Sequence, residues 1–393
     1  MKVLLLGVGM QGKAALHDLM NSGKVKEIVV ADKELNALEK YIDARHYNHK
    51  VRCEYVDASD PESVERLMIQ SPDVVIDLMP SMYCNNVVSA AVKFGVHLVN
   101  TFYTTPEINA LENQARKNGV TILPEFGMDP GIDLVLMGEA VRRFDSVTDI
   151  ISYGGGIPTP DAADNPLKYK VSWTLEGVLK SYLRPAQIIR NMKMIQIKGT
   201  EIFYPENVHE IEVEGFGKLE AFPNGNALKY VDLLGINPSN LQNIGRYALR
   251  YPGHSVFWKT IADMHLLDNE PITVDGYEID RKRLLAAALE PHLQYGDTEQ
   301  DAVVIRIDVV GYKGGQRKRA KYQVIDKRDL ETGFTAMNRT VGYTASIGAQ
   351  MIGIGNIIKT GVLSPLNDIP YQTFVNELER RGIHITSEII VSK

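Results

Sequence analysis

The hydrophobic pattern changes its period along the chain. Over the first 125 residues, short apolar runs at 3–6, 27–31, 51–55, 74–77, 97–100 and 121–124 alternate with segments of helical period at 10–22, 34–43, 61–68, 85–94 and 106–118. Most of the runs are continuous rather than alternating, as expected of strands buried on both faces. Strand–helix alternation of this kind predicts a parallel sheet covered on both sides by helices. Asp60 before Pro61 supplies a helix cap followed by proline at the first helical position.

Beyond a helix at 131–142 the pattern shifts. Strand-like runs at 150–153, 194–198, 210–213, 302–310 and 317–326 are joined by turn signals, of which Asp275-Gly276 and Gly314-Gly315 are the clearest. Helical segments at 174–183, 256–267 and 281–293 interrupt them, so an antiparallel sheet with helices on one face is expected. From 335 the chain reads as helical again, with a helix at 371–381 and a strand at 384–391. The expected fold class is α/β: a Rossmann-type doubly wound parallel sheet with an inserted α+β domain built on a mostly antiparallel sheet. Residues 1–128 with a returning segment 335–393 make the dinucleotide-binding domain. Residues 129–334 make a substrate-binding and dimerisation domain.

Composition narrows the function classes. With 44% hydrophobic and 23% charged residues the chain is an ordinary globular one, not a disordered one. A net charge of −6 argues against nucleic-acid binding, and the basic hairpin Lys313–Arg319 reads as a solvated turn. Cys53 and Cys84 are the only cysteines and lack metal-ligand spacing, so neither a disulfide framework nor a metal site is expected. The apolar N-terminus is too short for a signal segment, and Gln350 and Asn356 interrupt the apolar stretch 347–358. A cytoplasmic protein with no membrane association is expected.

The cofactor signal is local. Gly7-Val8-Gly9-Met10-Gln11-Gly12 follows the first strand and opens a helix. The three glycines serve the tight turn, the approach to a pyrophosphate and the helix–strand packing, while the helix N-terminus offers free N–H groups to phosphate. Asp32 ends the second strand, where its carboxylate can accept from a ribose 2′-OH and repel a 2′-phosphate. NAD is therefore expected over NADP, with Lys33 softening the preference. Asp57 after the third strand reaches toward the adenine edge or is a loop aspartate. Leu78-Met79-Pro80 and Asn100-Thr101 follow the fourth and fifth strands and are expected beside the pyrophosphate and nicotinamide. A methyltransferase uses a similar glycine turn and stays open as a fold alternative, whereas a phosphate-binding P-loop and a GxSxG nucleophile elbow are both missing.

At Pro124-Glu125-Phe126-Gly127-Met128-Asp129-Pro130-Gly131-Ile132-Asp133 the chain resembles the saccharopine dehydrogenase family, whose glutamate-forming branch carries an ExGLDPGxD segment here. Leu134 stands where that branch often has histidine. Gly155-Gly156-Ile157-Pro158, Leu175-Glu176-Gly177, Ile188-Ile189-Arg190-Asn191, Arg250-Tyr251-Pro252-Gly253-His254 and Ala336-Met337-Asn338-Arg339-Thr340 resemble its lysine 6-dehydrogenase branch. The resemblance implies oxidation or reduction at a C–N bond of an amino acid and, by analogy, a homodimer. In the lysine branch the ε-carbon gives hydride to NAD and the resulting aldehyde cyclises with the α-amine.

That chemistry needs a base near the nicotinamide, because an ammonium carries no lone pair to expel hydride. Asp129 is the candidate base or ammonium anchor, and it equally suits an N-cap for the helix that follows. Tyr103 is the candidate for orienting the reacting nitrogen, and Glu125 for contacting substrate. Arg250 with His254 is the candidate pair for the α-carboxylate, which a guanidinium binds bidentately. Tyr169 and Trp173 are candidates to wall its aliphatic part. Saccharopine as substrate, and a non-catalytic NAD-binding sensor or assembly subunit, are the alternatives.

Overall fold

The computed structural model describes residues 1–391, and the chain divides into two compact units. One comprises Met1–Gly138 and Asn338–His384; the other comprises Glu139–Met337 and the terminal segment from Ile385.

The first unit opens with β1 (Lys2–Leu6), α1 (Met10–Met20), β2 (Glu27–Asp32), α2 (Leu35–Ala44), β3 (Val51–Tyr55), α3 (Pro61–Met68), β4 (Val74–Asp77), α4 (Cys84–Phe94), β5 (His97–Asn100), α5 (Pro106–Ala110), α6 (Glu112–Lys117), β6 (Thr121–Leu123) and α7 (Ile132–Arg142). The continuous apolar runs Val3–Leu6, Ile28–Ala31 and Val74–Ile76 are buried, as strands covered on both faces must be. The Asp60 carboxylate accepts the Glu62 N–H and caps α3. The region expected as one helix over 106–118 is two, meeting at Leu111.

The second unit holds β7 (Ser146–Pro158), α8 (Leu175–Ser181), β8 (Ala186–Arg190), β9 (Lys193–Ile197), β10 (His209–Val213), β11 (Gly217–Pro223), α9 (Lys229–Leu233), β12 (Asn243–Arg250), α10 (His254–Asp263), the hairpin β13 (Ile272–Val274) and β14 (Tyr277–Ile279), α11 (Arg281–Leu289), β15 (Asp301–Lys313) and β16 (Gln316–Lys327). Its nine-stranded sheet follows β10-β11-β12-β7-β15-β16 and is antiparallel except where β12 runs parallel to β7. Both anticipated hairpin turns form: Asp275-Gly276 and Gly314-Gly315 each put two successive residues at positive φ, the requirement of a tight two-residue turn. Residues of α8, α10 and α11 share one apolar cluster with Ile188 and Phe222 from the sheet.

The chain then returns through α12 (Ala336–Asn338), a π-helical turn (Arg339–Tyr343), α13 (Thr344–Gly353), β17 (Gly361–Val362), α14 (Pro365–Asp368) and α15 (Tyr371–Glu379). β17 joins β6 and completes a seven-stranded parallel sheet ordered β17-β6-β5-β4-β1-β2-β3. Strand order reverses at β1, and the carboxyl ends there form the ligand crevice of such folds.

Two boundaries differ from expectation. The first unit extends into α7, because Gly138 packs against the backbone of Leu366 where any side chain would strike the carbonyl. The final strand β18 (Ile385–Val391) was expected with the first unit, but it pairs antiparallel with β16 from Val324↔Ile385 to Lys318↔Val391. It thereby satisfies an edge that would otherwise leave a row of backbone groups unpaired.

Candidate active site

In the first unit the glycine loop closes as a cradle. Gly7 has φ +83, and a Cβ there would lie 2.7 Å from the Leu78 carbonyl oxygen. A Cβ on Gly12 would strike the Gly7 carbonyl, so the first turn of α1 can approach β1 only because both residues are glycine. A Cβ on Gly9 would meet nothing within 4 Å, which leaves open space where the loop faces outward. No side chain caps α1, and its first helical bond runs from the Lys13 N–H to the Gly9 carbonyl. The N–H groups of Met10, Gln11 and Gly12 precede that bond. Open space over uncapped helix N–H groups fits a pyrophosphate.

Around this loop the polar groups are already organised. Asp32 accepts the Val8 N–H at 2.8 Å with one oxygen and the Glu34 N–H at 3.1 Å with the other, so it shapes the loop as well as facing it. Lys33 donates to Asp57 at 3.1 Å. Asp57 also accepts from the Ser59 hydroxyl and N–H, and these bonds with Lys33 hold its carboxyl down at about 2. Gln11 accepts from the Asn338 amide at 2.9 Å, so its side chain is engaged by the returning segment rather than held out for a ligand. Leu78 offers backbone to Gly7, Pro80 is exposed, and the Met79 side chain is buried in the core, which leaves only its backbone for a cofactor.

The loops after β5 and β6 carry the other candidates. Asn100 is fully buried; its Oδ1 accepts the Phe102 N–H, while its Nδ2 has no hydrogen-bond partner among the described residues. Thr101 and Tyr103 are half-buried. Glu125, at φ 58, is buried and accepts the Thr104 N–H at 3.0 Å through one carboxylate oxygen, a tie between the two loops. The segment after it folds back tightly, with Gly131 against the Gly127 backbone and a cis Asp129-Pro130 bond. Helix α7 starts at Ile132, and Asp133, fully buried, accepts the Gly131 N–H. The N-cap reading of Asp129 is thereby corrected: the helix begins too late, and Asp133 satisfies the turn. Asp129 itself is half-buried.

In the second unit β12 ends in a buried cation. The Arg250 guanidinium lies 4.9 Å above the Tyr169 ring, donates to the Leu249 carbonyl, and leaves its Nε without a partner. Its cross-strand neighbour Glu220 engages the N–H groups of Gly253 and Ser255 at the start of α10. Among the described residues no carboxylate forms a salt bridge with Arg250. His254 is not a ligand-facing partner to it. The ring is buried, bonded through Nε2 to the Tyr182 hydroxyl at 2.7 Å and packed edge-on against Tyr169 and Tyr182. Burial, and secondarily Arg250, drive its pKa well below the ordinary histidine value, so it is a neutral core histidine. Tyr169 is buried beneath Arg250, while the half-buried Trp173 ring lies so close to the first turn of α8 that only glycine fits at 177.

The family model for the saccharopine dehydrogenase NADP binding domain matches residues 3–123, and that for the saccharopine dehydrogenase C-terminal domain matches 127–383. The chain belongs to the saccharopine dehydrogenase family. Saccharopine dehydrogenase [NADP(+), L-glutamate-forming] of Schizosaccharomyces pombe is 26% identical, with 99% of each chain covered; the alignment spans 458 positions against 393 residues here, so that relative carries extra segments. Mitochondrial α-aminoadipic semialdehyde synthase of Rattus norvegicus is 25% identical over 97% of this chain, which spans about half (47%) of that relative. The apo saccharopine dehydrogenase (L-Glu forming) of Saccharomyces cerevisiae superposes with a TM-score of 0.85 at 23% identity, covering 99% of this chain and all of that one, a likeness of fold.

Within this family fold, the environments of three groups went unread in the sequence. Asp77 ends β4 fully buried, accepts the Met79 N–H with one oxygen and leaves the other unpartnered; burial pushes its carboxyl up to about 7. Glu220 caps α10 from a neighbouring strand, and Asn338 reaches α1 from 327 residues away. A carboxylate at a strand end carries a signal, but its burial does not show in a single sequence. The other two depend on pairings between distant segments.

Proposed function

We propose that the protein is an NAD-dependent dehydrogenase that oxidises the amine-bearing ε-carbon of lysine. The observation that carries the substrate half is Arg250, a buried guanidinium without an ionic partner among the described residues. A buried cation of this kind is costly unless an anion completes it, and an amino-acid carboxylate has the matching forked geometry. Asp129 is the group proposed to take the ammonium proton, so that the nitrogen lone pair can expel hydride from carbon. Tyr103 is proposed to orient that nitrogen, with Trp173 against the aliphatic chain. Bound NAD supplies the hydride acceptor. Gly7, Gly9 and Gly12 hold its pyrophosphate at α1, and Asp32 faces its adenosine ribose.

NAD is favoured over NADP by the carboxylate of Asp32 and by the engagement of Lys33 with Asp57, which leaves a 2′-phosphate facing an acidic strand end. The Schizosaccharomyces pombe relative is named as an NADP(+) enzyme and the matching family model as an NADP binding domain, so this is a proposed departure from them. Lysine as substrate rests on the resemblance of the segments at 155–158, 175–177, 188–191, 250–254 and 336–340 to the lysine branch. A second reading, saccharopine, is favoured by the Glu125–Asp133 segment and by the names of the relatives. A homodimer is proposed on the same resemblance.

Absorbance of reduced nicotinamide separates these readings. Reduction of NAD by lysine at alkaline pH supports the first, and reduction by saccharopine with none by lysine supports the second. Binding of NAD without reduction by any amino acid would contradict both and favour a sensor or assembly subunit.

A further inference from the structure

Helix α1 is gripped along its flank by the segment that returns from the second unit. The Asn338 amide donates to Gln11 in the first turn. Behind it, the π-helical turn Arg339–Tyr343 brings Gly342 so close that a Cβ would lie 2.5 Å from the Gln11 carbonyl, 2.8 Å from the Ala15 nitrogen and 2.9 Å from the Ala14 Cβ. Toward the far end, buried Asp18 receives the Arg381 guanidinium at 2.6 and 2.9 Å, the Ser346 hydroxyl at 2.6 Å and the Gln350 amide at 3.0 Å. Toward β1, Gly12 seats the same helix on the Gly7 carbonyl. The first turn of α1 is therefore fixed at backbone level from two sides. That turn carries the N–H groups available to a pyrophosphate, and a preorganised donor set binds at lower entropic cost than one that must be ordered.

We propose that Asn338 and the π-helical turn behind it are positioning elements for the dinucleotide site, setting the first turn of α1 for the pyrophosphate without touching the cofactor. The proposal rests on the reading of Gly7–Gly12 as the dinucleotide loop. Asn338 is also the first residue after the chain leaves the second unit, where the Asp301 carboxylate accepts the N–H groups of Ala336 and Met337. The positioning element is thus spliced directly to an anchored end of the other unit.

The test is a double-mutant cycle on binding, read by the fluorescence of reduced nicotinamide. Asn338→Ala and Gln11→Ala are each expected to weaken NADH roughly 3- to 10-fold, the range of one hydrogen bond, and the double variant no more than the weaker-binding single. Asn338→Leu, which keeps the approximate shape but can neither donate nor accept, is expected to match Asn338→Ala. ADP-ribose affinity should fall by the same factor, while adenosine, which carries no phosphate, should bind as to wild type, and the melting temperature should hold. Wild-type NADH affinity in the variants, fully multiplicative losses in the double variant, or an equal loss for adenosine would each overturn the proposal. A wild-type protein that binds neither NADH nor NADPH would overturn the dinucleotide reading and this inference together, an outcome distinct from all of these.

Discussion

The two units offer their proposed ligands opposite kinds of site. In the first, the cofactor site is made of backbone: glycines that allow close approach, uncapped helix N–H groups and strand ends, with side chains such as Asp32 and Gln11 tied back into the scaffold. In the second, the proposed carboxylate site is a single buried side chain, Arg250, set among aromatic rings on the end of β12. A backbone site tolerates little change in shape but much change in charge. A side-chain site built on a buried cation does the reverse, because its strength lies in an unpaid desolvation that only an anion offsets.

The largest effect on ligand binding should come from breaking the backbone site by shape. Gly12→Ala drives a methyl group into the Gly7 carbonyl and is expected to weaken NADH at least ~100-fold, on the order of the 3 kcal/mol typical of severe overpacking. Near-normal NADH titration by a folded Gly12→Ala protein would show that α1 does not need its close seat on β1.

Arg250→Met tests the other half. The KM for the amino acid should rise ~30- to 100-fold, in keeping with the loss of a charge-assisted pair, with a smaller change in kcat. Thermal stability should be equal to wild type or higher, since a buried cation lacking an ion pair is replaced by an apolar chain of similar length. A sharp loss of stability with an unchanged KM would make Arg250 a structural residue and remove the contrast between the units.

Asp32→Asn keeps an acceptor for the loop but removes the charge. The preference for NAD over NADP, taken as the ratio of kcat/KM values, should fall about tenfold. An unchanged ratio would assign the selectivity elsewhere in the first unit.

The last effect concerns stability rather than ligand binding. The Asp77 carboxyl is raised to about 7 by burial, so its neutral form is the one the fold prefers. The contribution is fully present below the unfolded value near 3.8 and is lost as pH rises through 7. Relative to wild type, Asp77→Asn should therefore gain stability between pH 4 and pH 7 and then level off, by at most about 4 kcal/mol for a shift of this size. Parallel melting curves across that range would mean that Asp77 ionises freely.

The same contrast explains what could be read in advance. The parallel sheet was legible because its strands are local, continuous apolar runs, and the glycine loop because three glycines at fixed spacing follow one of them. Substrate-side geometry was not. His254 looked like a partner for Arg250 from spacing alone, yet its ring is drawn into the Tyr182 bond by an aromatic cluster gathered from distant segments. Asp129 has the sequence of a helix cap, but the fold-back at Gly127–Gly131 delays the helix to Ile132, and Asp133 in its first turn accepts the Gly131 N–H. The last strand carries no mark of which sheet it joins, because an edge pairing is chosen by the partner's unpaired backbone rather than by its own residues.

Transfer of hydride from the ε-carbon of lysine to NAD can be followed with an isotope. The protein would be incubated with NAD and lysine deuterated at the ε-carbon, and the reduced cofactor weighed by mass spectrometry. One deuterium in the NADH is the predicted result. Unlabelled NADH formed as lysine is consumed, or reduction by saccharopine with none by lysine, would contradict it.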